Sequence, residues 1–130
     1  ALSSDLSVSE ICSLPRGCHN AMPFQQGILL NDTAADVVRF VSRSDDHIAV
    51  SVPTFPDEEL EFRGVDDSRI ARQGFGRGLC VIDDRLIAAG SSPSTVSIID
   101  IEKGKRLTAA NLTMDIRNAI HGLECWPKNW

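Results

Sequence analysis

Two histidines and a glycine-flanked arginine are the residues of this chain best suited to chemistry. His19 is followed by Asn20, Arg77 sits within Gly74-Phe75-Gly76-Arg77-Gly78, and His121 lies between Asn118 and Glu124. Two imidazoles, amide oxygens and a carboxylate are donor types that hold a divalent cation or orient a water for hydrolysis. Arg77 pulls the other way, because a fixed guanidinium repels a cation and favours an anion. A plainer role is open to all of them, since His and Asn at strand starts often bond neighbouring backbone groups. The third histidine, His47, follows Asp46 and reads as a solvated turn residue.

These residues are linked by a repeat. At an offset of 58 (77 − 19), His19 to Phe24 lies over Arg77 to Ile82, and Gln25-Gln26-Gly27 lies over Asp83-Asp84-Arg85. Ile28-Leu29-Leu30 then meets Leu86-Ile87-Ala88, Thr33 meets Ser91, and residues 37–41 meet residues 95–99 without a gap. A partial third copy starts at His121, at an offset of 44 (121 − 77). The order of apolar runs and polar turns makes His19, Arg77 and His121 equivalent. The difference in spacing is assigned to an insertion over about 54–73, which carries Asp57, Glu58, Glu59, Glu61, Asp66 and Asp67 and reads as a solvated loop.

Each copy reads as four short strands joined by Gly, Asp and Ser turns, the pattern of an antiparallel meander. The strands are expected at 21–24, 28–31, 37–42 and 48–52, then at 79–82, 86–89, 96–101 and 107–112. Outer pieces are expected at 6–14 and, as a terminal strand, at about 116–127. A helix competes at two places. Ala34, Val37, Val38 and Val41 have helical spacing, but the partner segment Thr95-Val96-Ser97-Ile98-Ile99 is β-branched and decides for a strand. Leu112, Ile116, Ala119, Ile120 and Leu123 keep the helical alternative open. The expected class is all-β, one propeller-like segment with blades at about 19–53 and 76–112.

Composition sets outer limits. The chain has 130 residues, 42% hydrophobic, with a net charge of −5. The apolar content excludes a disordered tail. The acidic balance argues against nucleic acid or an anionic membrane as partner. No apolar run reaches the roughly 18 residues of a membrane span. Cys12, Cys18, Cys80 and Cys125 form no C-x-x-C pair, so they are expected as reduced, mostly buried thiols of a cytoplasmic protein. The start at Ala1 suggests processing, trimming or a fragment. Nucleophile-elbow, zincin, phosphate-loop and dinucleotide signatures are missing. Trp126 and Trp130, flanking Pro127, are suited to covering a blade edge or to forming an aromatic face.

Four-stranded meanders of roughly 40 to 50 residues are the unit of a β-propeller blade. The string His19-Asn20-Ala21…Gly27-Ile28-Leu29-Leu30-Asn31-Asp32-Thr33 resembles the phrase that recurs in six-bladed propellers of the gluconolactonase and NHL-repeat type. That resemblance implies a channel mouth at the strand starts, lined by His19, Asn20, Arg77, His121 and Glu124. It further implies one divalent metal ion, for which Asn20 and Asp32 match motif positions. The plainer reading of Asn31-Asp32-Thr33 is a local side-chain turn. Two blades cannot close a ring of about four to eight. Either copies of the chain assemble, a trimer being favoured, or the chain belongs to a longer propeller. The leading expectation is a scaffold binding a small ligand or protein partner at the mouth. The alternatives are a metal-dependent lactonase or esterase with Glu124 or His121 as base, and a small α+β domain.

Overall fold

Eight strands account for nearly all the regular structure of the computed structural model, which describes residues 2–10, 12–44, 47–63 and 72–126. They are β1 (Cys18–Phe24), β2 (Gly27–Asp32), β3 (Val37–Ser42), β4 (His47–Ser51), β5 (Gly78–Val81), β6 (Leu86–Ser91), β7 (Thr95–Asp100) and β8 (Lys105–Asn111). The chain is all-β: β1-β2-β3-β4 form one antiparallel sheet and β5-β6-β7-β8 a second. The one helical turn among the described residues is a 3₁₀ turn over Asp57–Glu59. Residues 37–42, despite their helical spacing, pair on both sides as β3.

The turns follow from their residues. Gln25 takes a positive φ of 49° to close the β1–β2 hairpin. The Asp83 carboxylate accepts the backbone N–H groups of Arg85 (2.8 Å) and Leu86 (2.6 Å), fixing the β5–β6 turn. Asp100 is fully buried, and Arg85 at 2.9 Å neutralises it.

Alternation assigns each sheet a face. Phe24, Leu29, Val38, Phe40 and Val50 of the first sheet meet Leu79, Ile87, Ala89, Ile99 and Ile101 of the second, forming the core. Each fully buried Leu or Ile there contributes about 1.5–3 kcal/mol. Overlaid by register, Met22–Leu29–Phe40 corresponds to Cys80–Ala88–Ile98. Those second-sheet residues lie on the opposite face from Ile87 and Ile99, so the sheets stack front to back. The offset is 58 for β3 and β7 but 59 (88 − 29) for β2 and β6, because the second sheet's turn has three residues where the first has four. His19 therefore corresponds to Gly78 and not to Arg77, a correction of one residue. The bulge between His19 and Met22 restores the offset of 58.

The flanking segments differ from expectation. Among the described residues of 2–16 there is an isolated bridge, Leu2 with Val8, and no strand. Residues 112–126 form neither the expected terminal strand nor the alternative helix. Here the contacts are to a sheet face instead of an edge: the Ile120 side chain lies 2.5 Å from where a Cβ on Gly90 would be. Upstream, Asp115 is held in a parallel bridge to Glu61. All four thiols are free, but only Cys80 is buried, which corrects the expectation of mostly buried cysteines. Of the acidic stretch, Asp57, Glu58, Glu59 and Glu61 are exposed, while Asp66 and Asp67 lie outside the described residues, as do Pro127 and Trp130. No helix among the described residues is long and apolar enough to cross a membrane.

Candidate functional site

The start of β1, the end of β2, the run into β5 and the end of β6 all lie at one end of the stacked sheets. His19 is half-buried there, with Nδ1 2.9 Å from Thr33 Oγ1. The Thr33 hydroxyl donates to the Gly76 carbonyl at 2.9 Å. Its oxygen therefore accepts from His19, which puts the proton on Nδ1 and leaves Nε2 as the basic nitrogen of the neutral ring. Burial pushes the His19 pKa down, and the Arg77 and His121 charges push the same way, partly offset by the Gly17 carbonyl.

Asn20 occupies the β1 bulge at a positive φ of 52°. Asn tolerates that conformation better than most residues. The bulge re-aims its side chain, and the amide Nδ2 donates to the Arg77 carbonyl and, at 3.5 Å, to the His121 carbonyl. Phe75 forms the floor. Its ring lies 6.1 Å from the His19 ring, with the Arg77 guanidinium 4.4 Å above its centroid and that of Arg72 at 5.4 Å. Arg72 also pairs with Asp36 at 2.6 Å. Arg77, in contrast, makes no ion pair among the described residues, and its Nε is buried without a partner.

His19, Asn20, Arg77 and His121 are thus brought to one end of the fold. Glu124 is exposed, and the group it acts on is Cys80, whose thiol pKa is raised first by burial and then by Cys125 and Glu124. The two residues of the implied metal pair have other partners. Asp32 is buried and its Oδ2 is held by Arg39 Nη2 at 2.8 Å and Nε at 3.1 Å, while the Asn20 amide serves two carbonyls. Among the described residues, no group of three or more His, Cys, Asp or Glu is close enough to hold a metal. A local turn is also the wrong description of the Asn31-Asp32-Thr33 side chains. Asn31 donates to the Gly78 carbonyl at 3.1 Å and Thr33 to that of Gly76, both across the seam between the sheets.

Sequence reasoning passed over Phe75, Arg72 and the orienting role of Thr33. The available signal was Phe75 between two glycines. A Cβ on Gly76 would stand 3.0 Å from Asn31 Oδ1, so the glycine admits the close approach that seats Phe75 beneath the arginines. Chemically the arrangement offers one guanidinium without a carboxylate partner among the described residues, a neutral imidazole fixed in one tautomer, and a second, exposed imidazole. Compared with family models, curated proteins and solved structures, the chain matches none.

Proposed function

We propose that this chain is a β-propeller segment that binds a small anionic ligand at the end carrying His19, Asn20, Arg77 and His121. The propeller reading is supported by the front-to-back stacking of two four-stranded meanders, the relation between successive blades. A sandwich of two such sheets would instead oppose equivalent faces. Residues near Ile120 lie on the outward face of the second sheet at Gly78 and Gly90. Gly76 likewise abuts Asn31 on the corresponding face of the first, so the next blade would start there. The ring is completed by further copies of the chain or by more of the same polypeptide.

The single observation that carries the ligand class is Arg77, a half-buried guanidinium stacked on Phe75 with no carboxylate partner among the described residues. A planar guanidinium so placed is suited to a carboxylate or phosphate. Titration with acetate and with inorganic phosphate, read from the ring resonances of His19 and His121, tests this. Saturable shifts are expected, weakened tenfold or more in Arg77→Gln, since a hydrogen bond to a charged group contributes about 1.5–3 kcal/mol. Arg77→Lys keeps the charge and should retain part of the binding. Unsaturable shifts, or shifts indifferent to both substitutions, would overturn the proposal.

A further inference from the structure

The seam between the two sheets is built on the apolar cluster, yet three polar atoms inside it have no hydrogen-bond partner among the described residues. They are Asn31 Oδ1, Ser91 Oγ and Ser97 Oγ. All three residues are nearly or completely buried, at 0%, 3% and 3% exposure. Asn31 shares its face of the first sheet with Leu29 and Val38, opposite which it pairs. Ser91 and Ser97 share with Ala89 and Ile99 the face of the second sheet that looks back at it. The three residues line one pocket, which reaches the exposed Ser51 at its mouth and leaves about 10 Å³ for the centre of a water-sized sphere. Centres confined to so small a volume leave room for about one water.

We infer that this cavity is an internal hydration site holding one water bound by Asn31, Ser91 and Ser97. The donor and acceptor count closes. Water donates one hydrogen to Asn31 Oδ1, which can only accept, and its second to one serine oxygen. It accepts from the other serine hydroxyl, giving the three bonds typical of a buried water. The Asn31 Nδ2 group is already committed to the Gly78 carbonyl, which fixes the direction of Oδ1. An apolar guest would leave all three polar atoms unpaired. The water therefore ties a side chain of the first sheet to two strands of the second.

Magnetic relaxation dispersion of water nuclei on the intact chain counts long-lived internal waters. Ser97→Val fills the site with methyl groups and removes one anchor, so it should lose about one long-lived water relative to the wild type. A crystal structure of the wild type should place a water within hydrogen-bond distance of all three side chains, a readout that stands even if the variant does not fold. Equal water counts in the two proteins would overturn the inference. So would electron density with the serine hydroxyls turned onto their own backbone carbonyls and nothing between them.

Discussion

His19 is held by three influences that all disfavour its charge: partial burial, the guanidinium of Arg77 and the imidazole of His121. Its folded pKa lies below its ordinary 6.5. Between those two values the unfolded chain binds more protons than the folded one, so stability falls as the pH drops. The contribution is fully present above about 6.5 and is lost through the lowered folded value. Urea midpoints at pH 7.5, 6.5 and 5.5 should therefore decline more steeply for the wild type than for His19→Gln. Parallel declines would mean that His19 is not the titrating group. The sequence exposed His19, Asn20, Arg77 and His121 as a set because each opens a similar apolar run. It could not expose Phe75 or Thr33 as their partners, because those contacts span the seam between sheets. Nor could it set the alignment to the residue, since a turn one residue shorter moves His19 opposite a glycine.

Strands β1 to β8 were legible because turn chemistry and β-branched runs agree along both meanders, and local signals that agree specify structure well. Residues 112–126 were not legible for the opposite reason. Ile120 and Leu123 serve a sheet face, and a segment lying flat on a face needs neither a ladder nor a helical period. Gly90 is what allows that close approach, with Ile120 Cγ2 2.5 Å and Ile120 Cβ 2.6 Å from where an alanine Cβ would stand. Gly90→Ala should therefore lift residues 116–123 from the sheet, a crowding penalty of about 1–3 kcal/mol. Hydrogen exchange reads this directly: the Ile120 amide, bonded to the Ser91 carbonyl at 3.4 Å, should exchange about tenfold faster or more. Strand amides of β6 and β7 should keep their protection. An unchanged Ile120 amide would show that the segment is anchored elsewhere.

At the level of the molecule, front-to-back stacking has no natural end. Each sheet presents one face to its successor and one to its predecessor, so two sheets always leave two faces to be covered. Here the half-buried Val96 and Ile98 lie on the leading face of the second sheet, and Ile28 shares a cavity on the trailing side of the first with Cys12. If copies of the chain close a ring, light scattering at micromolar concentration should give three times the chain mass of 14.2 kDa. A monomer with a single cooperative unfolding transition would overturn closure by this chain alone. Glu61, leaving the first sheet, lies beside Asp115, leaving the second, and the Glu61 N–H bonds the Met114 carbonyl at 2.9 Å. The polypeptide thus returns to its starting point after making a whole sheet, and the ends of that excursion meet. A unit whose ends meet can be duplicated or excised at the junction with little pull on the strands before it. Growth by whole units, not by single strands, is the change this backbone accommodates.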